Sequence, residues 1–216
     1  MLQLPEKAKY NRTIPKKKLY EQTGANEKLK RLFIEQIESI YWQYKLSKES
    51  TNLSSTKQVS EIQVFEITQR EPELSEKILK KIDTEIPYPI LYSLKYGEKY
   101  KLKIAYKEKS KKNPRQYKVL SYHETDWKTK EELANFRILN GINLKQVYEH
   151  LIKTLSSVHY IEEEPVTDTV KREQERKQLE KKIEKLEKKI KKEKQFNRKV
   201  EMNLELKKLT KKRQEL

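Results

Sequence analysis

The chain has 216 residues, a net charge of +17 and 38% charged side chains, enough for one domain of ordinary size with an appendage. It has no cysteine and only three scattered glycines, Gly24, Gly97 and Gly141. Those counts exclude disulfides, thiolate zinc sites and cysteine nucleophiles, and with them the clustered glycines of a Walker or dinucleotide fingerprint. Positive charge on this scale favours polyanions such as nucleic acid, or an acidic protein partner.

No segment approaches the roughly 20 apolar residues of a membrane span, and the N-terminus lacks the apolar run of a signal peptide. The sequence therefore predicts a cytoplasmic protein without membrane contact. Residues 1–24 are punctuated by proline and lysine and read as an extended basic arm. Residues 25–163 read as an α+β domain, and residues 164–216 as a basic helical tail.

After Asn26, a capping residue, Leu29, Phe33, Ile37, Ile40 and Tyr44 recur at helical spacing and predict one core helix. The run SEIQVFEIT is apolar on both faces, Ile62 and Val64 on one and Phe65 and Ile67 on the other, as in a central strand. A short helix is predicted over residues 74–82. Two alternating strands follow, Ile90, Tyr92, Leu94 and Tyr96 before Gly97, then Tyr100, Leu102, Ile104 and Tyr106 after it.

Matching the two apolar rows requires an odd-numbered loop that sets Tyr96 opposite Tyr100 and Leu94 opposite Leu102. Lys95, Lys99, Lys101, Lys103 and Lys107 would then share the other face and would need counter-charge. A nucleic-acid backbone, an acidic partner, or Glu61 and Glu66 on a neighbouring strand could each supply it. The loop KEKSKKNPR extends the basic surface, so the candidate nucleic-acid contacts are Lys95, Lys101, Lys103, Lys107, Lys109, Lys111, Lys112 and Arg115. Tyr92, Tyr117 and Tyr122 could stack on bases, but their alternation favours the core. A further strand, QYKVLSYHE, and an amphipathic helix through Leu144, Val147, Leu151 and Leu155 complete the domain.

In the tail, Leu179, Ile183, Leu186 and Ile190 follow coiled-coil spacing, and Met202, Leu206, Leu209 and Leu216 follow it again out of phase. The two stripes fail to meet at QFNRKV, where the helix must unwind, change partner or bend. Run straight, the 49 residues from Asp168, with 19 basic against 10 acidic side chains, would make a rod about 70 Å long. The tail can pair with a second copy, Asn197 fixing the register. Alternatively it can dock on another surface, with Phe196 filling an apolar pocket and Asn197 and Arg198 hydrogen-bonding. Phe196 falls on neither stripe and is expected to pack against the domain or a partner.

Signals for catalysis are weak. His123, Glu124 and Asp126 lie beside Trp127 near a strand end, and His150 and His159 lack helical zinc-protease spacing. A metal-dependent nuclease would have to use Glu98 with Gln116 and Lys118, or the His123 cluster; a purely structural oligomerising adaptor, its lysine row paired with Glu61 and Glu66, is the other alternative. No residue is assigned a catalytic or metal-binding role, and no cofactor is expected.

Three strings, LPEKAKYNRTIPKKKLYEQ, FIEQIESIYWQYKLSKESTNL and KKEKQFNRKVEMNLELKKL, resemble the bacterial and archaeal proteins grouped as domain of unknown function 4391. The resemblance covers nearly the whole chain and carries no catalytic residues. It implies an accessory subunit encoded beside helicases and DNA methyltransferases in restriction-modification-like or antiviral defence loci, with DNA, a helicase or a methyltransferase as partners. The fold class predicted is α+β, a small mostly antiparallel sheet packed with helices and followed by a long C-terminal helix or coiled coil.

Overall fold

The computed structural model describes residues 2–110, 117–156 and 165–215. Contacts divide the chain into two units, Met1–Tyr160 and Ile161–Leu216. The first contains β1 (Lys9–Thr13), α1 (Lys16–Gln22), α2 (Glu27–Gln36), β2 (Ile37–Leu46), α3 (Lys48–Thr51), β3 (Ile62–Gln69), α4 (Glu76–Glu85), β4 (Ile90–Tyr96), β5 (Lys99–Lys109), β6 (Tyr117–Glu124), α5 (Lys130–Ala134) and α6 (Leu144–Leu155). The second contains α7 (Val166–Lys192) and α8 (Phe196–Gln214). The class is α+β, as the sequence predicts.

The six strands lie side by side in chain order. Every neighbouring pair is antiparallel except β3 and β4, which run parallel because α4 carries the chain back across the sheet between them. α2 and α4 pack on one face, burying Phe33, Ile37, Ile40, Phe65, Ile67, Ile78, Leu79, Ile82, Tyr92 and Leu94 in one cluster. On the other face α6 buries Leu144, Val147 and Leu151, and its Tyr148 stacks flat on Tyr106 of β5 with ring centroids 6.1 Å apart. β3 is buried on both faces, Phe65 and Ile67 in that cluster and Ile62 and Val64 on the other side, which matches its two-sided apolar run.

Two stretches differ from the sequence reading. The N-terminal segment is packed on the domain rather than running as a free arm: Lys9–Thr13 joins the sheet as β1 and Lys16–Gln22 is helix α1. β1 pairs with β2, Tyr10 packs on Trp42 with ring centroids 4.2 Å apart, and Lys16 Nζ donates to the Ile37 carbonyl at 2.6 Å. The predicted helix from Asn26 stops at Gln36, and Ile37–Leu46 is a strand. Its β-branched and aromatic residues favour the pleated conformation. The apparent helical spacing of Ile37, Ile40 and Tyr44 arises because β2 is irregular between Ile37 and Ser39 and again between Trp42 and Tyr44, which breaks the two-residue alternation.

The β4–β5 register also differs. The loop is the two-residue Gly97-Glu98, with Gly97 at φ +57, the positive φ that primed hairpin turns demand at their first central position. Tyr96 lies opposite Lys99, Leu94 opposite Lys101 and Tyr92 opposite Lys103. The apolar rows need not match, because both sheet faces are covered and each finds its own helices.

Candidate nucleic-acid and partner interface

The register sets Lys95 on the face opposite to Lys101, Lys103 and Lys107, so the predicted single row of lysines is divided. Lys95 lies opposite Tyr100, its Nζ 5.8 Å from the ring centroid. Lys101, Lys103 and Lys107 of β5 lie on the α4 side of the sheet and meet acids of α4 and β6 there. Lys101 Nζ donates to Glu124 at 2.9 Å, and Lys103 Nζ donates to the second oxygen of Glu124 at 2.7 Å and to Glu76 at 3.1 Å. Trp127 and Tyr122 present ring faces to these ammonium groups, each at 5.2 Å. Burial alone would raise the Glu124 carboxyl; its hydrogen bonds from Lys103 and Lys101 outweigh that and hold it below the ordinary carboxylate value.

Lys107 is deeper still, with a side chain 2% exposed against an Asp83 that is 0% exposed. Its Nζ donates to Asp83 Oδ1 at 3.1 Å and to the carbonyls of Asp83 and Ile86. The other Asp83 oxygen accepts from Tyr122 at 2.8 Å and from Tyr92 at 3.1 Å. Burial pushes the Asp83 carboxyl up and the Lys107 ammonium down, and the hydrogen bonds between them oppose both shifts. Where β5 and β6 slip between Tyr106 and Lys107, the Tyr148 hydroxyl donates to the Ala105 carbonyl at 2.6 Å and accepts from the Lys107 amide at 3.1 Å. One phenol therefore satisfies two buried backbone groups at the irregularity and fixes the strand from which Lys107 reaches Asp83.

Lys103 and Lys107 are thus buried cations with intramolecular partners, and Lys101 is paired as well. The counter-charge comes from Glu76, Asp83 and Glu124. Glu61 and Glu66 have other donors: Lys45 and Gln63 on Glu61, and Gln43 on Glu66. Lys109 is exposed at the end of β5. Lys111, Lys112, Arg115 and Gln116 lie outside the described residues, as does His159. Tyr92 and Tyr122 belong to the core network. Asp83 carries no catalytic signature in the sequence, yet it stands four residues after Leu79 on the apolar side of α4, and an acid in that phase is the signal that marks it.

Among the described residues, the groups a nuclease reading needs do not converge. Glu98 is at one end of β5, while Lys118 lies opposite Glu108 at the other, about 33 Å away at strand spacing. His123 and Glu124 are adjacent on β6 and so point to opposite faces, His123 Nε2 being 2.8 Å from Ser121 Oγ. Among the described residues no group of three or more histidines and acids is placed to hold a metal ion.

The tail is a helical hairpin. α7 ends at Lys192, and Glu193 Oε1 accepts from the amides of Lys194 and Gln195 before α8 begins at Phe196. Leu179, Ile183, Leu186 and Ile190 of α7 are buried, and Met202, Leu206 and Leu209 of α8 are half-buried. Lys212 near the end of α8 pairs with Glu175 in the first half of α7 at 2.8 Å, as two antiparallel helices require. The break falls where the two stripes lose phase, and the helix reverses there instead of continuing as a rod.

The reversal concentrates charge. Residues 188–199 hold seven basic side chains and one acid. Lys188 pairs with Glu184, whereas Lys189, Lys191, Lys192, Lys194, Arg198 and Lys199 are exposed and have no ion pair among the described residues. Phe196 stands at the start of α8, 77% exposed, with Asn197 and Arg198 exposed beside it.

A family model described as domain of unknown function 4391 matches residues 2–212. No curated protein and no solved structure matches the chain.

Proposed function

This chain belongs to the domain of unknown function 4391 family, whose description assigns no chemistry, and we propose that it is a binding subunit that contacts nucleic-acid phosphates through the tip of its helical hairpin. The observation that carries this reading is the division of charge. Lys101, Lys103 and Lys107 are neutralised inside the globular unit, while the tip gathers six exposed basic side chains without intramolecular ion pairs among the described residues. Phosphates take up such charge with release of counterions, so affinity depends steeply on salt. The resemblance to proteins encoded beside helicases and DNA methyltransferases supports an accessory role in a DNA-processing assembly. Binding is favoured over catalysis by the separation of Glu98 from Lys118 and by the enclosure of Asp83.

The test is binding to short DNA duplexes across a salt series. The parent chain is expected to bind at about 50 mM salt and to weaken steeply above it. Replacing Lys189, Lys191, Lys192 and Lys194 by glutamine should lower the slope of log affinity against log salt by about 0.9 for each phosphate that is no longer neutralised. Lys95→Gln with Lys109→Gln should leave the slope near the parent value. No binding at low salt, or an unchanged slope in the tip variant, overturns the proposal.

A further inference from the structure

Among the described residues the hairpin leaves one face of α8 exposed. Met202, Leu206, Leu209 and Arg213 of α8 are half-buried along the seam, with half-buried Thr210 at its edge. At 3.6 residues per turn the opposite side of α8 carries Val200, Leu204, Lys207 and Lys211, bordered by Phe196 and Lys208. Phe196, Val200 and Leu204 are spaced by four and are 77%, 42% and 58% exposed. They form an apolar stripe about two turns long, and a contiguous exposed apolar patch bordered by polar residues is often functional. Lys207 and Lys208 continue the face and have no ion pair among the described residues.

We propose that this outward face of α8 is a docking surface for an acidic amphipathic helix of a partner protein. Spacing by four is how one helix presents anchors to another, and neither Val200 nor Leu204 has a use in phosphate binding. A second copy of this chain fits poorly. α7 and α8 together carry 18 basic against 8 acidic residues, so two copies laid face to face repel. A helix with leucines along one side and glutamates at one end meets both halves of the face: the leucines cover Phe196, Val200 and Leu204, and the glutamates meet Lys207, Lys208 and Lys211. This docking does not rest on the phosphate contacts proposed for the tip, because its anchors are apolar and its lysines, Lys207, Lys208 and Lys211, lie beyond residues 188–199.

The test uses the full chain and labelled synthetic helical peptides, read by fluorescence anisotropy. One peptide has leucines spaced by four with glutamate flanks, a second has lysine in place of glutamate, and a third has the first composition with the leucines scrambled. The glutamate peptide is expected to bind saturably and the other two not. Leu204→Asp should weaken binding by about tenfold or more, as removal of an anchor does. Lys207→Glu with Lys211→Glu should transfer preference to the lysine peptide. Circular dichroism on the same samples confirms that the variants keep their helix, which exposed positions allow. Absence of saturable binding by the glutamate peptide, or indifference to Leu204→Asp, overturns the proposal. So does a concentration-dependent dimer in sedimentation that Leu204→Asp abolishes, which assigns the face to a second copy. Loss of duplex binding in Leu204→Asp without peptide binding in the parent would assign it to nucleic acid instead. Failure of the salt-series test alone leaves this face unaffected, so the two proposals fail separately.

Discussion

Lys107 and Asp83 set what single side chains do in the globular unit. A buried ion pair gives little net stability, but removing one partner strands the other, at a cost of about 3–5 kcal/mol. Lys107→Met should therefore lower the urea midpoint sharply, and adding Asp83→Leu should restore part of the loss; a double variant no better than the single would show that the two charges are not coupled. Tyr148→Phe deletes one oxygen that serves two buried backbone groups. A loss of about 1–3 kcal/mol is expected from unpaired polar atoms with the ring retained, and urea unfolding reads this directly. Glu124 is the group with a pH signature. Folding holds its pKa below the ordinary value of 4.5, so its contribution is present above that value and is lost as pH falls through the lowered one. Glu124→Gln should flatten the fall of thermal midpoint on the acid side of about pH 4.5, and an unchanged acid limb would show that Lys101 and Lys103 do not hold the carboxylate. Asp83, raised by burial, acts in the opposite sense: its contribution declines as pH rises through its folded value.

At the scale of elements, what is legible in the sequence is what local chemistry decides. β3 shows in its two-sided apolar run, α6 in its apolar spacing after the Asn143 cap, whose side chain accepts from Gln146 at 3.0 Å, and β6 in its alternation. The β4–β5 register is not legible from matching apolar rows, because the turn at Gly97 and the helices on both faces decide it together. The alternation of lysines on β5 is plain, but its answer is not: Asp83 lies 24 residues from Lys107 in the chain and Glu76 lies 27 from Lys103. Only the crossover of α4 brings them to the sheet. The tail divides in the same way. Both apolar stripes and their loss of phase are readable, whereas reversal, bending and change of partner share one sequence signature. Ile183 sits in the α7 seam, so Ile183→Asp should reduce the helical signal of the tail in circular dichroism at 25 °C by burying a charge where α8 packs. A tail that remained a straight rod about 70 Å long would depend on Ile183 only in a dimer, and the loss would then vary with protein concentration.

For the molecule as a whole, net charge is a poor guide to where a polyanion can bind. The value of +17 counts a neutralised lysine and an exposed one alike, and the sheet and the hairpin tip differ in that respect. The sheet has one further property, in its strand order. Because spatial order follows chain order from β1 to β6, each strand pairs with the one completed just before it. No strand has to wait for a distant segment, so the sheet can grow strand by strand as the polypeptide leaves the ribosome, and the entropy of closing long loops is small for a structure of this size.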